Sequence, residues 1–203
     1  MIVIKRNNIE EQYDPQKLTQ FITSISNVDP KLRHIDTRKL TKQIESGLTD
    51  RMSSDELLTY ATEISASLGS QSHDYSMLAG RISVIMLHTN TPSSFTDAMN
   101  RISDVLCPHF LNRINQYNYD DYIDNRYDFG YDIIGVRTLK RSYLLKDAKG
   151  FVERPQYMLM RVAVFLSDTP EEAIDMYNVM SAGYYTHASP TLFHCGMKKH
   201  QLA

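Results

Sequence analysis

MIVIKRNNIEEQYDPQKL, Met1 to Leu18, sets the architecture of the first part of the chain. Ile2 to Ile4 and Ile9 to Tyr13 are short extended pieces on either side of Asn7-Asn8, and asparagine tolerates the left-handed backbone that a hairpin turn needs. The simplest reading is a β-hairpin. Asp14 then caps a helix whose first position is Pro15, where a missing N–H costs nothing, and Leu18, Phe21, Ile22 and Ile25 recur at helical spacing. A second helix is expected from Asp36, with Leu40, Ile44 and Leu48 on one face. A third opens on a capping box, Ser53 to Glu56, and carries Leu57, Ala61, Ile64 and Leu68. A fourth starts near Asp74 with Leu78, Ile82 and Ile85, where Ala79 and Gly80 permit close approach. Residues 1–90 thus read as a hairpin over four short helices.

Beyond residue 90 the pattern is helical. Thr91-Pro92 opens a helix with Phe95, Met99, Ile102, Val105 and Leu106 inward, which Pro108 ends. From Phe110 to Phe129 the run of Tyr, Asn and Asp reads as loop with one short helix. Gly135 to Lys146 is a helix with a solvated basic face, Asp147 to Gly150 a turn, and Pro155 the start of a helix apolar over so wide an arc that it must be buried. Thr169-Pro170-Glu171-Glu172 combines an N-cap, an N1 proline and a capping-box glutamate, with Ala173, Tyr177 and Met180 inward. After Gly183 the chain is expected to turn extended.

At 203 residues and 42% apolar content the chain can bury a sizeable core in one or two domains. The net charge of -2, from 22 basic and 24 acidic residues, gives no global field for nucleic acid or an anionic membrane, so any anion site must be local. Neither the short apolar opening nor the stretch Tyr157 to Leu166, broken by Arg161, suits a signal peptide or a membrane span, and a cytoplasmic location is expected. Two cysteines, Cys107 and Cys195, make no Cys-x-x-Cys pair and read as reduced thiols. The cluster His194, Cys195 and His200 fits no common zinc spacing, and no metal site is expected.

Three stretches carry a family likeness: THASPTLFHCG (Thr186 to Gly196), ERPQYMLMRVAV (Glu153 to Val164) and GVRTLKRSYLLK (Gly135 to Lys146). With the opening hairpin and helices, they resemble the large catalytic subunit of class I ribonucleotide reductase, whose N-terminal module is the ATP-cone. The resemblance implies a mainly α fold with minor β. Its parts would be an ATP-cone (hairpin over a four-helix bundle) at 1–90, a helical domain at 91–185, and, at 186–203, the first strand of the ten-stranded α/β barrel. It implies reduction of ribonucleoside diphosphates to deoxyribonucleotides for DNA synthesis, by a cysteine radical with a redox cysteine pair. It also implies allosteric control by ATP and dATP, a separate small subunit carrying the metal radical cofactor, and a homodimer or higher oligomer of large subunits. The redox cysteines of that family would fall past Ala203, so the chain reads as the N-terminal part of such a subunit, without catalytic residues and inactive alone.

Phosphates call for clustered cations and donors, and Lys5, Arg6, Lys17 and Ser54 are candidates to converge on one, although a Lys-Arg pair on a hairpin is ordinarily solvated decoration. The resemblance turns that balance. By its pattern the effector contacts map onto Lys5, Arg6, the run Glu11, Gln12, Tyr13, Asp14, Pro15, Gln16 and Lys17, and Ser54, while Ser189 matches a contact to the substrate nucleoside diphosphate. Two positions depart from the family. Leu58 stands where a polar residue often reads the nucleotide, and Thr89 replaces a phosphate-contacting lysine; poor discrimination between ATP and dATP is the expectation. A stand-alone cone-based regulatory module is the alternative, disfavoured because the cone runs on into reductase-like helices and no zinc ribbon is present. A second alternative makes the chain one half of a complementing pair.

Overall fold

The computed structural model describes residues 1–202 and divides them into two compact units. The first is formed by Met1–Met86 with Phe129–Arg137, the second by Leu87–Asp128 with the residues from Thr138 onward. Helices dominate both.

In the first unit, β1 (Ile2–Ile4) and β2 (Glu10–Gln12) form the expected antiparallel hairpin, in register Ile2↔Gln12, Val3↔Glu11 and Ile4↔Glu10. Its turn closes through Lys5 N–H to Ile9 O (2.9 Å) and Asn8 N–H to Lys5 O (2.8 Å), and Asn8 takes the left-handed backbone at φ 60°. The sheet has a third strand that the hairpin reading did not contain: β3 (Met52–Ser53) runs parallel to β1, with Val3↔Met52 and Ile4↔Ser53, so β1 is central. Two residues offer no periodicity, which is why this strand was hidden.

Four helices follow: α1 (Pro15–Ser26), α2 (Thr37–Glu45), α3 (Ser54–Ser67) and α4 (His73–Asn90), of which the part from Leu87 onward belongs to the second unit. The first three start where a side chain accepts from the first free N–H groups: Asp14 from Gln16, Asp36 from Lys39, and Ser53 from Glu56, whose carboxylate accepts in turn from the Ser53 N–H. Leu18, Ile22, Ile25, Leu40, Ile44, Ala61, Leu78 and Ile82 form one buried cluster. Arg81 is fully buried with them, and donates to the carbonyls of Ile25 (2.8 Å) in the last turn of α1 and of Val28 (2.9 Å) and Pro30 (2.6 Å) beyond it.

The second unit corrects several expectations. The helix expected from Thr91-Pro92 is α5 (Phe95–Arg101), capped by Ser94, and Val105 is exposed rather than inward. Pro108 does not end that helix; it is the first residue of another, α6 (Pro108–Gln116), because a proline at N1 starts a helix as readily as one beyond the end stops it. The remainder of the expected loop holds 3₁₀ turns at Asp120–Tyr122 and Asn125–Gly130. Then come α7 (Ile133–Ser142), which begins in the first unit, and the hairpin of β4 (Lys146–Asp147) and β5 (Gly150–Phe151). α8 (Pro155–Leu166) is buried on all sides from Pro155 to Val164, and α9 (Pro170–Ser181) starts at the Thr169 capping box. The segment expected to run extended into a barrel strand instead forms α10 (Ser189–His194), with Pro190 in its first turn; its only ladder contact among the described residues is an isolated bridge of Met197 to Leu106. No helix among the described residues is long and apolar enough to cross a membrane.

Candidate functional site

The sheet register assembles the site in the first unit. Because β1 is central, Glu11 lies across from Val3 on one side and Ser53 across from Ile4 on the other, so Lys5, Glu11 and Ser54 meet at one end of the sheet. The capping aspartate Asp14 brings the first turn of α1, and Lys17 with it, to the same place. A cavity of about 220 Å³ opens there. Lys5, Glu11, Gln12, Tyr13, Asp14, Lys17 and Ser54, all expected from the sequence, line it. Arg6 borders an adjoining hollow that shares Lys5, Ser54 and Leu58 with the cavity. Pro15 and Gln16 do not line it; they build the turn, with Gln16 N–H donating to Asp14 Oδ1 at 2.8 Å.

Part of the cavity's lining is apolar, formed by Leu18, Phe21, Leu57 and Leu58. By their spacing Leu18, Phe21 and Leu57 belong to the helix core, which they also serve; an apolar residue at the rim of a core carries no separate signal. Leu58 lies in the cavity wall. Thr89 lies in the last turn of α4 and is not among the lining residues.

The site's charges balance: Lys5, Arg6 and Lys17 against Glu11, Asp14 and Asp55. Glu11 pairs with Lys5 at 3.2 Å and also with Lys17, and Arg6 donates to Asp55 from Nη2 at 2.6 Å. Ser54 Oγ donates to Ile4 O at 3.3 Å. Tyr13 donates its hydroxyl to Glu45 Oε1 at 3.4 Å; burial and that carboxylate push its phenol up to about 12, so it stays a neutral donor. Chemically, the arrangement offers two ammonium groups, a guanidinium and a hydroxyl beside an apolar face, which suits an anion attached to a flat apolar body.

In the second unit, Ser189 opens α10 and its Oγ lies 2.9 Å from the Tyr143 hydroxyl, whose ring leans on Phe193. α10 is held from beneath by a buried ion pair. Arg161 and Glu153 are both fully buried, 2.6 Å apart, and Arg161 also donates to Leu192 O (3.0 Å) and Cys195 O (2.7 Å). Burial raises the Cys195 thiol to about 11, against the opposing pull of Arg161, so it is neither thiolate nor nucleophile at neutral pH. His194 Nδ1 faces the carbonyls of Pro190 and Gln201, not a carboxylate, and His187 packs on Tyr185. Among the described residues no group of three or more His, Cys, Asp or Glu is placed to share a metal ion.

Two family models match the chain: the ATP cone domain over residues 1–90 and the all-alpha domain of ribonucleotide reductase over residues 129–200. The whole chain is 36% identical to the ribonucleoside-diphosphate reductase large subunit of Vaccinia virus (strain Copenhagen), of which it covers 28%. It is 33% identical to the large subunit of Dictyostelium discoideum and 35% identical to the large chain of Schizosaccharomyces pombe, covering all of this chain and 25% and 27% of those proteins. The chain therefore spans about a quarter of the length of these curated relatives.

Proposed function

Because this chain belongs to the ribonucleotide reductase large-subunit family, of which it matches the N-terminal portion, we propose that its cone cavity binds ATP and dATP as allosteric effectors. The gathering of Lys5, Glu11 to Asp14, Lys17 and Ser54 around one cavity carries the reading. In it, Lys5, Arg6 and Lys17 take the phosphates, Ser54 adds a hydroxyl, and the wall of Leu18, Phe21, Leu57 and Leu58 receives the base. The whole protein then reduces ribonucleoside diphosphates, in a homo-oligomer served by a separate metal-containing small subunit, in the cytoplasm. Ser189 is the substrate contact in this portion, its hydroxyl oriented by Tyr143.

Calorimetric titration with each nucleotide tests the reading. Replacing Lys5 and Lys17 together by Met is expected to weaken ATP binding by about tenfold to a hundredfold, the loss of one or more charge-assisted hydrogen bonds. Unchanged affinity in that double variant would refute the site. Since Leu58 offers no hydrogen bond to the nucleoside, ATP and dATP should bind within about tenfold of one another, and a clear preference beyond that would remove the role given to Leu58.

A further inference from the structure

In the cone cavity each cation has an internal anion, since Glu11 holds Lys5 and Lys17, and Asp55 holds Arg6. A second hollow of the first unit is arranged the other way. It opens between the loop ahead of α2, the first turn of α2 and the loop ahead of α4, measures about 550 Å³, and gathers Arg33, His34, Asp36, Lys39, Ser72 and Tyr75. The nearby carboxylates are bound to backbone: Asp74 Oδ2 accepts from the N–H groups of Arg33 and His34, both at 2.8 Å, and Asp36 Oδ1 from Lys39 N–H at 3.0 Å. The side chains of Arg33, His34 and Lys39 are left exposed, with no carboxylate partner among the described residues. Tyr75 Oη accepts from Asp36 N–H at 3.1 Å and Ser72 Oγ from Asp74 N–H at 3.3 Å, so each hydroxyl keeps its own proton to donate elsewhere. Although the chain has a net charge of -2, the segment Lys31 to Lys42 carries five lysines and arginines against Asp36 alone. Even with Asp74 counted, the local field is positive.

We propose that this hollow binds a phosphate monoester, carried by a small molecule or by a phosphorylated side chain, at a site separate from the cone cavity and independent of the nucleotide reading above. Arg33 supplies the planar fork that matches two phosphate oxygens, Lys39 a point charge from a different element, and His34, Ser72 and Tyr75 further donors. The double hydrogen bond to Asp74 ties the backbone of Arg33 and His34 to the start of α4, so less order has to be imposed when an anion arrives. A phosphate monoester brings about two negative charges at neutral pH and gains more from a positive field than a single carboxylate does. Ile35 is the one aliphatic residue lining the hollow, against the three leucines of the cone cavity, so it is the phosphate and not an apolar body that is recognised.

The test follows backbone amide NMR shifts of the chain during titration with inorganic phosphate and, separately, with a short phosphoserine peptide, at one ionic strength. Saturable shifts are expected at Arg33, His34 and Ser72. Arg33→Gln with Lys39→Gln should weaken binding by about tenfold, and Arg38→Gln with Lys42→Gln, which removes the same charge from the same segment outside the hollow, by about twofold or less. Tighter binding of the peptide than of inorganic phosphate assigns the site to a phosphorylated partner, and equal or weaker binding assigns it to a small phosphate compound; either supports the site. Equal losses in the two double variants, shifts that never saturate, or a response confined to Lys5, Lys17 and Ser54 would each overturn it. Should Arg33→Gln with Lys39→Gln lose the wild-type circular dichroism spectrum, Lys39→Gln alone carries the test, with an expected loss of about threefold.

Discussion

At the scale of single residues, the most consequential groups are charges in the core. Arg161 and Glu153 are fully buried, and the pair is hydrogen-bonded further: Glu153 Oε2 accepts from Leu145 N–H at 3.0 Å while Arg161 reaches the carbonyls of Leu192 in α10 and of Cys195 just past its end. Arg161→Met would leave the buried Glu153 carboxyl without its ion-pair partner, and is expected to lose about 3–5 kcal/mol in urea unfolding. Coupling it to Glu153→Leu should recover part of that loss, since an apolar pair removes the stranded carboxyl; a single variant within about 1 kcal/mol of wild type would contradict this. In the sequence Arg161 was legible only as an interruption of an apolar run, because a buried arginine and an exposed one look alike until its carbonyl partners, 31 and 34 residues away, are known. The lysines and carboxylates of the cavity were legible by resemblance, not by spacing. Their mutual pairing was not, since it depends on strand register. Asp55 as the partner of Arg6, 49 residues distant, had no signal at all.

At the scale of elements, the helix starts were the most readable features. Asp14-Pro15, Asp36, Ser53 with Glu56 and Thr169 with Glu172 each act as the caps their chemistry suggests, because capping is local and needs no tertiary context. Elements of two or three residues, and prolines that serve either helix end, were unreadable for the opposite reason: β3 and the role of Pro108 are decided by neighbours far along the chain. α4 shows how tertiary contact overrules propensity. Alanine is favoured over glycine inside a helix by about 0.8–1.0 kcal/mol. At Gly80, however, a Cβ would come within 2.3 Å of the Tyr131 carbonyl oxygen and 2.7 Å of the Asp132 carbonyl carbon. Gly80→Ala should therefore destabilise, by about 1–3 kcal/mol, and a rise in melting temperature would show that this backbone approach is not required.

At the scale of the whole molecule, the response to pH brings together sites of opposite sign. Hydrogen bonds from Arg101 hold the Asp147 carboxyl down at about 2 against an ordinary 3.8. With the folded value below the unfolded one, its contribution is complete above 3.8 and is lost as the pH falls towards 2. Asp128 runs the other way: burial raises its carboxyl although His88 and Gln156 donate to it, so the stability it confers is greatest below 3.8 and declines as the pH rises towards its folded value. Melting temperatures followed from about pH 2 to about pH 6 should show a shallower acid-side fall in Asp147→Asn and flatten above it in Asp128→Asn; curves unmoved by both substitutions would overturn these assignments. The clasp of Arg161 on α10 has a consequence for synthesis as well. A nascent chain brings Arg161 out of the ribosome ahead of Leu192 and Cys195, 31 and 34 residues later, so the second unit completes this clasp only once both acceptors have emerged.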